Sequence, residues 1–240
     1  MYKRQLTPLS KDTLGKLLSS KLKESGVKIL SKSISNPTSL AVVSIKNGFP
    51  SYSFHRNDTA ERKVNLENLL DILPINAKIF HVGSLGLIEG QDAEVWEKFF
   101  KICKQKGLIT SLDPNVRPIL IQDRKNYIKR LERMFFDVDI LKLSNEDLQW
   151  IYPSKSLDQS FEILQSKTKA QLLILTLGEE GSIGKTSNFE VKISSKKISD
   201  LKDTVGAGDT YMASILNWFV DHKIYNINFC LLYTSPSPRD

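Results

Sequence analysis

Residues 203–219 read DTVGAGDTYMASILNWF, in which a glycine-rich turn runs directly into a helical pattern. Apolar side chains recur at helical spacing in the second half of the stretch, at Met212, Leu216 and Phe219. This spacing predicts a helix over residues 209–221 with one face turned towards the core. The turn before it consists of small residues, which allow the backbone to come close to a ligand.

The start of this predicted helix is suited to hold a phosphate group. A first helical turn offers unpaired N–H groups at the positive end of the helix dipole, so Gly206, Ala207 and Gly208 could form an anion hole. Asp209 could accept the proton of an attacking hydroxyl while these amides stabilise a transferring phosphoryl group. The same letters also fit a plain glycine-rich turn capped by Asp209, and spacing alone does not decide between the two.

Strand-like and helix-like segments alternate upstream of this stretch. The strand patterns occupy residues 78–83, 108–112, 139–143 and 171–177, and the helix patterns occupy residues 92–106, 123–136, 145–152 and 156–167. Strands separated by helices of this length need crossover connections, so we expect a largely parallel sheet covered on both faces, an α/β fold. Ligands of such sheets bind at the carboxyl ends of the strands.

Three further segments complete the predicted organisation. Residues 6–26 carry leucines at helical spacing and end on glycine, which predicts an amphipathic helix. Residues 39–46 and 50–56 predict a β-hairpin around Asn47 and Gly48, a dipeptide suited to a tight turn. Short antiparallel strands are predicted at residues 182–185 and 189–193.

The stretch DTVGAGDTYMASIL resembles the signature of PfkB-type (ribokinase-like) carbohydrate kinases nearly letter for letter, and the likeness extends over residues 14–219 in family order. The segments FHVGSL and LDPNVR, at residues 80–85 and 112–117, are similar to those of fructokinases. The resemblance implies a ribokinase-like three-layer α/β/α fold, here partial, with a mostly parallel central sheet and a small β lid. It assigns residues 38–60 to the lid and the sugar-side segment that follows it.

The same resemblance implies a role for individual residues. Asp209 is expected to be the catalytic base, with the anion hole formed by the amides of Gly206, Ala207 and Gly208. The residues expected beside ATP are Thr176, Gly178, Gly181 and Thr204. Those expected in the phosphate or Mg²⁺ network are Asn115, Arg117 and Asp147, and those on the sugar side are Arg56 and Asp113. No residue is assigned as a direct metal ligand.

Each of these segments also has a plain structural interpretation. The DPN sequence at residues 113–115 is a good turn, and the Thr176 segment is a strand that ends in a glycine turn. Ser144 and Asp147 fit a helix capping box, and Ser-x-x-Asp departs from the Asn-x-x-Glu of many ribokinase-like proteins. Lys142 would neighbour Asp147, and His81 is read as a hydrogen-bonded strand residue rather than a ligand.

The function implied by the resemblance is ATP-dependent phosphorylation of a sugar hydroxyl, with ATP and Mg²⁺ as cofactors. Fructose is the expected sugar, and 2-keto-3-deoxygluconate or ribose are the alternatives. A protein of another class, a non-catalytic fructokinase-like protein that binds or regulates, would have the same fold. Such proteins commonly lose the base or the glycines, which this chain retains. A homodimer formed through the lid is the expected assembly.

Composition favours a small-molecule partner over nucleic acid or membrane. The 240 residues carry a formal charge of +7, but the lysines are scattered rather than clustered, as on a solvated surface. No apolar run reaches the length that crosses a bilayer and no secretory signal is present, so the cytoplasm is expected. Cys103 and Cys230 are too few for a disulfide framework or metal cluster.

Both ends of the chain differ from the rest. CLLYTSPSPRD, at residues 230–240, resembles a translated sequencing adapter, and MYKRQ, at residues 1–5, resembles its opposite strand. We therefore expect a partial kinase domain over residues 6–229, although an ordinary Ser- and Pro-rich tail is the alternative. A domain without the family's first strands would lack its sugar anchor, so we expect the 240-residue chain itself to be inactive.

Overall fold

The computed structural model of the protein describes residues 3–46, 49–196 and 205–225. These residues form two compact units. The first unit takes in the described residues within 1–76, 86–99 and 119–122, and the second takes in the others. Across the described ranges, no helix combines the length and the apolar character that a membrane span needs.

The first unit contains two two-stranded sheets and the helices at residues 13–24 and 66–72. Its elements are β1 (Arg4–Gln5), α1 (Thr13–Glu24), β2 (Lys28–Ile29), β3 (Leu40–Lys46), β4 (Phe49–His55) and α2 (Leu66–Ile72). Strand β1 pairs with β2 in parallel, and β3 pairs with β4 as an antiparallel hairpin in which Leu40 lies opposite His55. The predicted hairpin is therefore present, and its turn at residues 47–48 lies outside the described residues.

The first helix begins later than the sequence pattern predicts. Helix α1 starts at Thr13 because Asp12 caps it: the Asp12 carboxylate accepts from the Gly15 N–H at 2.7 Å. The residues before Asp12 run as extended chain instead, with Ser10 bridged in parallel to Ile34. The predicted start at residue 6 is wrong, since pairing with a neighbouring segment overrides helical spacing there.

The second unit is built on a six-stranded sheet. Its strands, in chain order, are β5 (Ile79–Gly83), β6 (Ile109–Asp113), β7 (Ile140–Ser144), β8 (Leu172–Thr176), β9 (Ser182–Lys185) and β10 (Glu190–Ile193). The spatial order is β10-β9-β8-β7-β6-β5. Strands β5 to β8 are parallel and β9 and β10 are antiparallel additions, as the sequence predicts.

Helices follow the parallel strands of this sheet. They are α3 (Gln91–Gln105), which begins in the first unit, and α4 (Arg124–Asp137), α5 (Asn145–Ile151), α6 (Leu157–Lys167) and α7 (Ala207–Asp221). Side chains in a strand alternate between faces, so Phe80 and Ile79 point to opposite sides of β5. The Phe80 ring contacts Phe100 of α3, with ring centroids 6.2 Å apart, and Ile79 packs in the cluster that includes α7. Helices therefore cover both faces and give the expected three-layer α/β/α order.

Helix α7 packs on isoleucines from three neighbouring strands. Met212 and Phe219 form one buried cluster with Ile109 of β6, Ile140 of β7 and Ile174 of β8. The apolar stripe predicted for this helix is thus present, and it fixes α7 to one face of the sheet. Burial of a large apolar side chain contributes about 1.5–3 kcal/mol, so this contact is a main anchor of the helix.

The reactivity of the Cys103 thiol reports how tightly helix α3 is packed. The residue is fully buried at 0% exposure, and burial raises the pKa of its thiol to about 12. Because the thiolate is the reactive form, we expect Cys103 in a Cys230→Ser variant to resist an aromatic disulfide reagent at pH 8 until urea unfolds the chain. Release of one equivalent of reporter within seconds from the native protein would show that α3 does not pack as described.

Candidate active site

One face of the sheet changes from apolar to polar along its strands. On the side of α7, strands β5, β6 and β7 begin with isoleucines, of which Ile109 and Ile140 belong to the core cluster and Ile79 packs against it. Two residues further along, the same face carries His81 on β5, Ser111 on β6 and Lys142 on β7. Asp113 follows at the carboxyl end of β6. The polar residues therefore gather where ligands of parallel sheets bind.

His81 and Ser111 lie side by side on adjacent strands. Their backbones are in register, and the His81 Nδ1 and Ser111 Oγ atoms are 2.9 Å apart. Desolvation by the surrounding protein lowers the pKa of His81, and the Lys142 ammonium lowers it further, whereas the Asp209 carboxylate raises it. The side chain nevertheless remains open to water on the sheet face. His81 is hydrogen-bonded, as predicted, but it also lies within electrostatic reach of Asp209.

Asp113 and Lys142 form a buried ion pair at the strand ends. Lys142 Nζ donates to Asp113 Oδ2 at 2.9 Å, and each side chain is only 5% exposed. The other carboxylate oxygen, Oδ1, is buried and receives no hydrogen bond from any described residue. Burial raises the pKa of Asp113, and the charges of Asp147 and Asp209 raise it further. The Lys142 ammonium group lowers it. The charges of Lys142, Asp147 and Asp209 therefore all act on Asp113.

The glycine-rich turn reaches the same polar region. Gly206 adopts a left-handed φ of 78°, which favours glycine, and precedes the first residue of α7. The first helical bond runs from the Thr210 N–H to the Gly206 carbonyl at 2.8 Å, so the amides of residues 207–209 come before the helical ladder. Asp209 lies exposed in the first turn of α7.

Gly208 lies beside the lysine of the buried ion pair. A Cβ atom placed on Gly208 would lie 3.1 Å from Lys142 Nζ, closer than side chains normally approach. The ammonium group of Lys142 therefore lies against the turn that precedes Asp209. A side chain at position 208 would require the Lys142 ammonium group to move by a few tenths of an ångström.

The loop after β6 is held by its own backbone and by Asp147. Asn115 has a left-handed φ of 41°, and the Arg117 Nη1 atom donates to the carbonyl oxygens of Asn115 at 3.3 Å and Val116 at 3.1 Å. The Val116 N–H donates to Asp147 Oδ1 at 2.7 Å. The DPN segment is thus a turn at the site, and Arg117 folds back along it.

Asp147 also closes the predicted capping box of helix α5. Its Oδ2 atom accepts from the Ser144 N–H at 3.0 Å, while Ser144 Oγ accepts from the Asp147 N–H at 3.1 Å. The carboxylate is therefore shared between the cap of α5 and the loop after β6. The capping box could be read from Ser144 and Asp147, whereas the bond to Val116 has no signal in the sequence.

The other predicted site residues lie at several places. Thr176 ends β8, Gly178 begins a short 3-10 turn and Gly181 leads into β9, so the three form the β8–β9 connection. Thr204 lies outside the described residues. In the first unit, Arg56 Nε pairs with Glu61 Oε1 at 3.1 Å, and the Arg56 side chain is 10% exposed.

A carboxylate, a helix start and a buried ammonium group thus meet at the strand ends of an α/β sheet, the arrangement of a phosphate-handling α/β protein. Comparison with known families agrees with this class. Residues 5–226 match the pfkB family carbohydrate kinases, and the chain belongs to this family. It therefore groups with sugar kinases, which are phosphotransferases, and the ribokinase-like fold predicted from the sequence is confirmed.

Fructokinases are prominent among the relatives. A fructokinase of Rhizobium leguminosarum bv. trifolii is 31% identical and aligns with 97% of this chain and 72% of its own length. Probable fructokinase-2 of Arabidopsis thaliana is 30% identical over 78% of this chain, which spans 56% of that relative. The chain thus corresponds to between about half and three quarters of these proteins' lengths.

Solved structures share the fold. Fructokinase with bound ATP from Xylella fastidiosa superposes with a TM-score of 0.80 at 26% identity, covering 90% of this chain and 67% of that one. Fructokinase from Vibrio cholerae O395, in a fructose-, ADP- and calcium-bound form, gives a TM-score of 0.78 at 21% identity, covering 90% and 70% of the respective chains. The second likeness supports the fold alone.

Asp147 provides a test of the site's framework. In an Asp147→Ala variant the N–H groups of Ser144 and Val116 lose their acceptors, and each such loss costs about 1–3 kcal/mol in a buried site. We expect urea unfolding to show a fall of at least about 2 kcal/mol, with Asp158→Ala, an exposed acid in the first turn of α6, changing stability by less than about 1 kcal/mol. Equal stability of the two variants would contradict the shared-carboxylate framework.

Proposed function

We propose that the protein transfers the terminal phosphoryl group of ATP to a hydroxyl group of a sugar, with fructose as the preferred acceptor. The observation that carries this proposal is the position of Asp209. It lies exposed in the first turn of α7, directly after the small residues whose amides precede the helical ladder. A base and an anion hole are thus adjacent in one turn of backbone.

In the proposed reaction, Asp209 takes the proton from the attacking sugar hydroxyl. The hydroxyl oxygen then forms the new bond to phosphorus as the bond from phosphorus to the ADP oxygen breaks, so ADP carries away the electron pair. The amides of Gly206, Ala207 and Gly208 stabilise the charge on the transferred group. No covalent enzyme intermediate is required, and catalysis rests on positioning and electrostatics.

The carboxylates at the strand ends fit a magnesium ion that arrives with ATP. The described residues contain no cluster of three or more acidic, histidine or cysteine side chains able to hold a metal. Mg²⁺ in kinases is held largely by phosphates and water with one or two carboxylates, so a dense cluster is not needed. Asp147, from the expected phosphate or Mg²⁺ network, would hold it together with Asp113, which the sequence placed on the sugar side and which has an unpartnered buried oxygen. The ion would neutralise charge on the phosphates.

We propose that Asn115 and Arg117 lie along the phosphates. The left-handed backbone of Asn115 and the fold-back of Arg117 keep this loop close to β6, next to Asp113. A guanidinium group at that place suits an anionic ligand. In the same proposal the β8–β9 connection, with Thr176, Gly178 and Gly181, borders the nucleotide.

Fructose is proposed from the relatives rather than from the site. The relatives at about 30% identity are named fructokinases, and so is the ATP-bound structure from Xylella fastidiosa. The non-catalytic alternative is less favoured because Asp209 and the glycines are present. We rank 2-keto-3-deoxygluconate and ribose behind fructose as acceptors, because the relatives named above are fructokinases.

The proposal is tested by an Asp209→Asn variant in a version of the protein extended to the length of its relatives. The change removes the base but keeps size and polarity, so sugar-dependent release of ADP should fall by about 10²- to 10⁴-fold while ATP affinity persists. The matched control is Asp221→Asn, at the other end of α7, which should retain parental turnover with fructose and Mg-ATP. Turnover of Asp209→Asn within tenfold of the parent would refute the assignment.

A further inference from the structure

Tyr211 brings a hydroxyl group to the sheet-facing side of helix α7. The residue follows Asp209 closely in the chain, and its ring packs against the buried cluster that holds the helix on the sheet. A phenyl ring would bury the same apolar surface, so packing alone does not call for a phenol. The hydroxyl group bonds instead to Ser182 of β9, with Tyr211 Oη and Ser182 Oγ 3.0 Å apart.

Ser182 is held firmly in the sheet. It is 6% exposed, and it pairs with Thr176 of β8 on one side and with Ile193 of β10 on the other. Gly181, which precedes it, has a positive φ of 105° and lies so close to β10 that a Cβ atom there would overlap the Ile193 carbonyl oxygen. Ser182 therefore has little freedom to move, and a hydrogen bond to its side chain fixes the position of the partner.

Apolar packing constrains the rotation of α7 about its own axis only weakly. Met212 and Phe219 are 2% and 1% exposed, but hydrophobic burial has no preferred direction, and a small rotation of the helix would keep both side chains covered. A hydrogen bond depends on distance and angle, so the bond between Tyr211 and Ser182 opposes such a rotation. Because Asp209 lies in the first turn of the same helix, the bond also restricts where its carboxylate can lie.

We propose that Tyr211 is a positioning residue for the base Asp209, acting through its hydrogen bond to Ser182. The bond joins the start of α7 to β9, next to the β8–β9 connection that is proposed to border the nucleotide. The base and the nucleotide border are thereby held on one part of the sheet. A displacement of a reacting group by about 1 Å can cost about 10²-fold in rate, so a small loosening of α7 should lower turnover. The inference rests on the proposed phosphotransfer and adds a residue to it.

Amide hydrogen exchange tests the bond in the 240-residue chain without any need for activity. Tyr211→Phe removes the hydroxyl group and keeps the ring, so we expect the amides of residues 210–213 to exchange at least about threefold faster and those of β6 to stay unchanged. Tyr225→Phe is the matched control, because the Tyr225 hydroxyl donates to the Val220 carbonyl at 3.4 Å, near the other end of α7. Parental exchange at residues 210–213 in Tyr211→Phe would overturn the proposal.

Steady-state kinetics test the role in turnover, in the version of the protein extended to the length of its relatives. A displaced base slows the chemical step without weakening binding. We therefore expect Tyr211→Phe to lower kcat by at least about fivefold and to change KM for fructose and for ATP by less than about twofold, with Tyr225→Phe retaining the parental values. A parental kcat in Tyr211→Phe would overturn the positioning role and leave the proposed phosphotransfer intact.

A double variant, Tyr211→Phe with Ser182→Ala, separates positioning from stability. It removes both hydroxyl groups, so no buried hydroxyl is left without a partner and its resistance to urea should return towards that of the parent. The directional bond stays absent, so kcat should stay low, and recovery of kcat would overturn the proposal. A parent protein without sugar-dependent turnover would overturn the proposed function and the positioning role together, whereas hydrogen exchange would still decide whether the bond holds α7.

Discussion

The site depends on one packing contact, that of helix α7 on the isoleucines of β6, β7 and β8. This contact sets where the helix begins, because Met212 and Phe219 occupy the apolar half of the sheet face. The first turn of α7 is thereby brought over the polar half, against Lys142. Hydrophobic burial of the helix thus positions the groups that are proposed to handle phosphate.

The polar half of this face concentrates charge. Asp113 interacts electrostatically with Lys142, Asp147 and Asp209, and His81 lies within reach of both Lys142 and Asp209. Burial raises the pKa of Asp113, and the charges of Asp147 and Asp209 raise it further. The proposed metal nucleotide would bring its own cation to this concentration of negative charge.

Much of the fold could be predicted from the sequence, and the contacts within the site could not. The sequence pattern identified every strand of the main sheet and helices α3 to α7, and all of them except the exposed strand β10 have a buried face or a cap. Helix α2 was not predicted, although Asn65 caps it. The pairs Lys142 with Asp113 and Asp147 with Val116 join residues 29 and 31 positions apart, and only strand register brings them together. The spacing of apolar residues within one segment does not identify which polar residue of a distant segment will lie beside it.

Binding of phosphate at the turn before α7 would change the environment of the glycine amides in that turn. In a chain labelled with ¹⁵N-glycine and titrated with Mg-ATP, we expect the Gly206 and Gly208 resonances to shift, because their amides face the anion. Gly26 and Gly107, which follow α1 and α3, should keep their positions. Saturable ATP binding that leaves the Gly206 and Gly208 resonances unmoved would show that phosphate does not bind at this turn.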